Sequence, residues 1–138
     1  MNFLIIYMKK SLLSYVFIGF FTFLIAFSAQ ASSYDNFFKA VKSDDVSSVH
    51  RLLSIGFDAN TLDPQKRSAL MLAVAEKSAK VASLLISSLN IDLEAMNPAG
   101  ENALMLASLS GQENIVRQLI DRGADINNTA VNTSRLTP

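Results

Sequence analysis

The chain has 138 residues, half of them hydrophobic, and its twelve basic and twelve acidic side chains leave no net charge at pH 7. It contains no cysteine and a single histidine, which excludes disulfides and the common zinc sites built from cysteine and histidine. No basic patch favours nucleic acid, so nucleic acid is not expected as a partner. A domain of this size without disulfides or metal depends on apolar packing for its stability.

The first predicted element is an apolar segment near the N-terminus. Lys9 and Lys10 precede an uncharged run at residues 12–27, and the small-residue sequence Ala29-Gln30-Ala31 follows soon after it. A basic start, an apolar middle and an A-x-A site are typical of a secretory signal peptide. The pattern therefore predicts that this segment directs export.

The signal is predicted to span residues 1–31, with cleavage between Ala31 and Ser32. Translation is expected to start at Met8, because Met8-Lys9-Lys10 is a more usual signal beginning than the preceding MNFLIIY. The alternative is an uncleaved membrane anchor, since the apolar segment reaches the short edge of what spans a bilayer.

A sequence repeat of 33 to 34 residues follows this segment. SALMLAV at residues 68–74 returns 34 positions later as NALMLAS at residues 102–108, and a shift of 33 brings a weaker third copy into register. Apolar positions coincide between the copies, as in the pairs Leu72 and Leu106, Val81 and Ile115, Leu85 and Leu119, Phe37 and Leu70, Leu52 and Leu85. Two helix patterns per period indicate a repeat architecture rather than one closed core.

Polar residues and glycines mark the predicted helix ends. Ser68 and Asn102 stand where a side-chain oxygen can cap the first helix of a unit. Gly56 and Gly123 stand where the second helix of a unit ends. The middle unit has no glycine there, and Asn90 is the candidate for a left-handed stop.

These units resemble the ankyrin repeat family. The segment GENALMLASLSGQENIVRQLIDRGADIN at residues 100–127 follows that family's pattern, and GFDAN at residues 56–60 repeats its ending. The resemblance, over residues 34–128, implies an all-α solenoid of stacked helix-turn-helix units with short hairpin loops, preceded by the signal or hydrophobic helix. Ala-Leu-Met at residues 69–71 and 103–105 replaces the family's Pro-Leu-His, so fewer hydrogen bonds are expected near the hairpins.

Three units are assigned by this resemblance. Repeat 1 is predicted at residues 32–62 and is cap-like, repeat 2 at 63–96 and repeat 3 at 97–130. Residues 131–138 end in Leu136-Thr137-Pro138, which resembles the opening of a fourth repeat, and we interpret them as the start of a truncated one. The alternative is a natural short form in which the tail or a partner covers the last repeat.

No catalytic apparatus is visible in the sequence. His50 aligns with Arg117 on the outward side of a second helix, and Asp44-Asp45 align with an interhelix turn. Met71 and Met105 recur at one repeat position, as core residues do. The glycines mark repeat boundaries and form no phosphate loop. We therefore expect no enzyme activity, no metal and no cofactor.

The expected function is protein binding. In ankyrin proteins, partners dock on the hairpin tips and on the concave face of the first helices, so the resemblance implies an unidentified protein partner. The signal segment predicts that this module acts in a bacterial periplasm or is secreted, and we expect it to be a monomer. The alternative is a membrane-tethered scaffold that holds the repeats outside, with the membrane involved only through the N-terminal segment. The corresponding positions are Lys42, Ser43, Pro64, Gln65, Arg67, Ala75, Glu76, Pro98, Ala99, Glu101, Leu109 and Ser110.

Overall fold

The computed structural model describes residues 2–129, and their regular structure is helical. Packing of the chain separates two units, Met1–Asn36 and Phe37–Pro138, which are described in turn. Within residues 2–129 no strand forms, and Leu62 and Ser68 make one isolated antiparallel bridge.

The first unit consists of the greater part of helix α1, Asn2–Lys42. Its large apolar side chains are exposed, among them Phe17, Phe20 and Phe23. The hydroxyl of Thr22 donates to the carbonyl of Ile18, so this polar group is satisfied within the helix. By length and composition alone the helix could cross a membrane, and a signal sequence meets the same criterion.

The second unit is a series of helix pairs. After the end of α1 come α2, Val46–Ser54; α3, Ala69–Ala75; α4, Ala79–Ser87; α5, Ala103–Leu109; α6, Glu113–Asp121; and a short 3-10 helix, Ile126–Thr129. The first helices of repeats 2 and 3 pack together as α3 and α5, while the second helices pack in the order α2, α4, α6. The all-α solenoid is thereby confirmed for this part of the chain.

The predicted helix caps are formed. Ser68 Oγ accepts a hydrogen bond from the Met71 N–H at 3.2 Å, and Asn102 Oδ1 accepts one from the Met105 N–H at 2.9 Å. Each satisfies a backbone donor that the first turn of a helix leaves without a partner.

Asp44 and Asp45 lie in the turn before α2, as the alignment predicts. Asp45 Oδ1 accepts from the Ser48 N–H at 3.1 Å and from the Ser47 hydroxyl at 2.8 Å. Hydrogen bonds from Ser48 and Ser47 stabilise the charged carboxylate and lower the pKa of Asp45 to about 2. Asp44 has a left-handed backbone, φ 55°, and its carboxylate accepts from the Val81 N–H in repeat 2 at 2.8 Å.

The prediction for Asn90 was wrong. Gly56 and Gly123 do end their helices with positive φ, at 95° and 102°. Helix α4 instead ends at Ser87, and Ser88 leaves it in an extended conformation with φ −68° and ψ 138°. Asn90 has no positive φ. The extra residue of this unit gives the chain an extended exit, so no left-handed stop is needed.

The core is a continuous apolar layer between the helices, and it is most complete in the middle repeat. Leu70, Leu72, Val81 and Leu85 are fully buried because repeats lie on both sides of them. Burial of each such side chain contributes roughly 1.5–3 kcal/mol. The layer thins in repeat 3, where Ile120 is 40% exposed although its equivalent Ile86 in repeat 2 is 3% exposed.

Hydrogen bonds from long polar side chains fix the register between repeats. The Asn60 amide donates to the Asn90 carbonyl at 2.7 Å, and its oxygen accepts from the Asp92 N–H at 2.8 Å. Arg122 donates through Nε to the Ile86 carbonyl and through Nη2 to the Ser88 carbonyl, both at 3.0 Å. Contacts between neighbouring units therefore stabilise the array, as expected for a solenoid.

Candidate protein-binding surface

Half of the predicted contact residues lie at the C-terminal ends of the first helices. Ala75 ends α3 and is followed by Glu76, while Leu109 ends α5 and is followed by Ser110. Lys42 and Ser43 hold the equivalent positions in repeat 1. All six are exposed. Because α3 and α5 pack side by side, the sites of repeats 2 and 3 are neighbours in one row.

Leu109 is the apolar residue of this row. Its side chain is 80% exposed, whereas the equivalent positions carry Ala75 and Lys42. The neighbouring hydroxyls are engaged with the helix, since Ser108 donates to the Leu104 carbonyl at 2.7 Å and Ser110 to the Leu106 carbonyl at 2.6 Å. A partner that covers Leu109 would therefore bury apolar surface at a low cost of desolvating these two hydroxyls, because they already donate to backbone carbonyls.

The other half lies on the hairpin loops before α3 and α5. Pro64 and Gln65 at the first tip, and Pro98 and Ala99 at the second, are exposed. The first loop is organised by Asp63, whose Oδ1 accepts from the N–H groups of Gln65 at 3.0 Å and Arg67 at 2.8 Å. Asp63 Oδ2 accepts from Arg67 Nε and Nη2, each at 2.8 Å, in a forked ion pair.

The second loop has the same shape with different chemistry. Asn97 Oδ1 accepts from the N–H groups of Ala99 and Glu101, both at 3.0 Å, and its amide donates to Glu101 Oε2 at 2.9 Å. An Asn–Glu pair thus replaces the Asp–Arg pair of the first loop. In both loops the first residue also donates its N–H to the carbonyl of the last residue, at 2.9 Å.

Arg67 and Glu101 therefore have a structural role that the sequence reading missed. Both are half-buried and bound to a side chain of their own loop, so less of each is open to a partner than at Pro64 or Pro98. A signal was present in the sequence, because a polar pair four residues apart recurs after 34 positions, as Asp63 with Arg67 and Asn97 with Glu101.

Other side chains that could bind a metal or take part in catalysis are dispersed over the repeats. Among residues 2–129 no three His, Cys, Asp or Glu side chains come together in a way that could hold a metal ion. His50 is exposed on α2 and lines a shallow groove of about 580 Å³ with Leu53, Phe57 and Leu84. Met71 is buried in the core and Met105 is half-buried, as their repeat position predicts.

Comparison with known proteins decides the family. The family model described as "Ankyrin repeats (3 copies)" matches residues 37–130. This chain belongs to the ankyrin repeat family. Ankyrin repeats are in general protein–protein interaction modules, and proteins of this family are typically non-catalytic scaffolds. The division into three units and their boundaries stay a prediction, and residues 131–138 lie outside the described part.

Curated proteins resemble the chain over part of its length. Neurogenic locus notch homolog protein 2 of Homo sapiens is 39% identical over 77 residues, which cover 56% of this chain and 3% of that protein. Ankyrin repeat domain-containing protein 29 of Danio rerio is 38% identical over 60 residues, covering 44% of this chain and 20% of that protein. The chain thus spans a small fraction of the relatives it matches.

Proposed function

We propose that this ankyrin chain binds a protein partner through the exposed ends of α1, α3 and α5 and through the tips of the two hairpin loops. The observation that carries the proposal is Leu109, an aliphatic side chain 80% exposed on the row where the family docks its partners. Residues on this row differ between repeats while the backbone under them is the same. Surface residues can therefore change without disturbing the fold, which suits a recognition surface.

The chemistry of the row favours a partner with an apolar side chain at its centre. Leu109 and Ala75 supply apolar contact, and Glu76 and Lys42 add an acid and a base to the row in repeats 2 and 1. Binding energy in such interfaces concentrates in a few central residues surrounded by weaker contacts. Leu109 is the residue that we expect to contribute most.

The test of this surface compares two leucines of similar exposure. Leu109→Glu should remove a partner that co-purifies with the tagged full chain. Leu89→Glu should retain it, because Leu89, 90% exposed, follows α4 at the far end of the second helices. Quantitative mass spectrometry of the co-purified proteins is the measurement. Retention by both variants, or equal loss from both, would remove Leu109 from the binding surface.

To measure how the charge of the first hairpin loop contributes to partner binding, a variant must change that charge and keep the loop intact. Arg67→Glu alone would place a second carboxylate against Asp63 and disturb the loop. Asp63→Asn combined with Arg67→Glu installs the pair found in the second loop, so it changes the charge and keeps the hydrogen bonds. Partner loss with the double variant assigns the effect to charge at the tip. Loss with the single variant alone assigns it to loop structure.

We propose further that the repeats act in a bacterial periplasm or as a secreted protein, after cleavage between Ala31 and Ser32. The supporting observation is the exposed apolar surface of α1 before this site, which is unfavourable in water and suits a segment that enters a membrane during export. Intact-mass measurement of the exported protein is the test, with Ser32 as the expected first residue. Mapping the precursor's N-terminus tests the start at Met8, and finding Asn2 in it would exclude that start.

A second candidate is a membrane-tethered scaffold. It is favoured by the continuity of α1, which runs through Ala31 and Ser32 without a break and includes a segment long and apolar enough to cross a bilayer. In that case the full-length mass is retained and the protein stays in the membrane after alkaline carbonate washing. Release of a chain that begins at Ser32 would rule the tether out.

A further inference from the structure

One surface of repeat 3 is exposed although its counterpart in repeat 2 is buried. We call the open face the surface of α5 and α6 formed by Ala107, Ser108, Glu113, Val116, Arg117 and Ile120, which line a groove of about 430 Å³. The same surface of repeat 2 is covered by repeat 3. Val74, Ala82 and Ile86 are buried there, whereas their equivalents Ser108 and Ile120 are exposed and Val116 is half-buried. The open face is therefore the repeat 3 counterpart of the surfaces that repeats 1 and 2 bury against the next repeat.

The open face differs from the covered faces in its charges. The positions equivalent to Glu113 and Arg117 are Ala79 and Ser83 in repeat 2 and Val46 and His50 in repeat 1, which carry neither a carboxylate nor a guanidinium. They lie at the edge of the covered faces, since Ala79 and His50 stay exposed. Among residues 2–129, neither Glu113 nor Arg117 forms an ion pair. The surface is apolar along its middle and carries at its edge one acid and one base, which stand four residues apart on α6.

These charges make the open face complementary to itself. Glu113, Val116, Arg117 and Ile120 follow the i, i+3, i+4, i+7 spacing that places residues on one stripe of a helix. In an interface with two-fold symmetry, the residue that contacts a second one is itself contacted by the copy of that second residue. An acid and a base four residues apart on α6 can therefore form two equivalent ion pairs when two copies meet in antiparallel orientation.

We propose that the chain is not the monomer expected from the sequence and that the open face is a homodimer interface. Two copies of α6 pack antiparallel there, with Glu113 of each copy paired to Arg117 of the other. This pairing places the two-fold axis level with residue 115. With a rise of about 1.5 Å per residue, the two Val116 residues lie about 3 Å apart along the helix axes and the two Ile120 residues about 15 Å apart. Val116 then packs against its own copy, and Ile120 lies over the other copy's turn at Gly111.

The absence of cysteine from the sequence allows a direct test of these distances. Val116→Cys, made in the full chain and purified in mild detergent, should form a disulfide-linked dimer on mild oxidation. Ile120→Cys should remain monomeric on the same face, because cysteines with Cα atoms more than about 7 Å apart cannot be bridged. Leu89→Cys is the control for chance collision. Cross-linking at residue 120 rather than 116, or at neither, would overturn the proposal.

Charge exchange tests the pairing independently of the disulfide geometry. In the Val116→Cys chain, Glu113→Arg or Arg117→Glu should each abolish the cross-link, since every pair would then join like charges. Mixing the two variants should restore it, because one copy supplies two cations and the other two anions. A cross-link that survives either single change refutes the proposed ion pairs. Val116→Cys that neither cross-links nor reacts with a maleimide would show another part of the chain on this face, which also overturns the dimer.

Discussion

A single substitution, Asn102→Ser, tests how the helix caps satisfy their polar groups. Asn102 is 1% exposed, and its Oδ1 accepts from the Met105 N–H, which fixes the orientation of the side-chain amide. The Nδ2 atom is buried and has no protein acceptor within hydrogen-bond distance. A buried donor left without a partner costs about 1–3 kcal/mol. Asn102 therefore stabilises α5 through one atom and destabilises the fold through another.

Ser68 shows that the cap does not require an amide. It occupies the same position in repeat 2, is 3% exposed, and caps α3 through its hydroxyl. Asn102→Ser should therefore keep the cap and remove the unpaired donor, with a small loss of packing from the smaller side chain. We expect the free energy of unfolding to rise by about 1 kcal/mol, which corresponds to an increase of about 4–8 °C in Tm for a domain of this size.

The assay is urea unfolding of the full chain in mild detergent, read by pulse proteolysis so that only the folded fraction of the repeats is counted. The matched control is Ser68→Asn, which introduces a second buried amide and should lower stability. Asn102→Ala loses the cap as well as the donor and should lie below Asn102→Ser. If Asn102→Ser lowers stability by about 1 kcal/mol or more, the amide has a partner in solution and the reasoning is refuted.

Two further predictions follow from the core and from the Asp45 cap. Leu104→Ala, at a site 3% exposed, should cost about 2–5 kcal/mol and unfold all three repeats together, whereas Leu109→Ala should leave the urea midpoint nearly unchanged; separate unfolding of repeat 3 would contradict the coupling. Because the folded pKa of Asp45, about 2, lies below the ordinary 3.8, its stabilisation is fully present above pH 3.8 and is lost as pH falls through 2. An NMR titration of this carboxyl should give a midpoint near 2, and a midpoint near 3.8 would show that the cap is not formed.

Features set by short stretches of sequence were predictable. The caps at Ser68 and Asn102 and the glycine ends at Gly56 and Gly123 depend on backbone groups within a few residues, so residue type and spacing were enough. The stack itself followed from the period, because two amphipathic helices per unit must bury their apolar faces against a neighbour. The end of α4 was not predictable in this way, since an extra residue permits an extended exit as well as a left-handed one.

Contacts across the stack could not be predicted from the sequence. Asn60 reaches Asn90 and Asp92, which lie 30 and 32 positions away, and this depends on how one repeat is set against the next. The same holds for Arg122, which donates to two carbonyls of repeat 2. No local pattern separates these polar residues from solvated ones, because their partners are backbone atoms that every residue has.

The two hairpin loops explain how the surface can vary while the scaffold is kept. The backbone bridge at the base of each loop needs one side-chain acceptor for two N–H groups, and either Asp63 or Asn97 supplies it. The second polar atom of that side chain then pairs with the residue four positions later. A carboxylate oxygen requires a cation there, and an amide N–H requires a carboxylate. Charge at the tip can thus be reversed by two coordinated changes without loss of the loop. The charge of each loop can therefore be set by partner binding rather than by the needs of the fold. A single change at Arg67 or Glu101 alters both the charge and the loop structure, so it cannot separate the two effects.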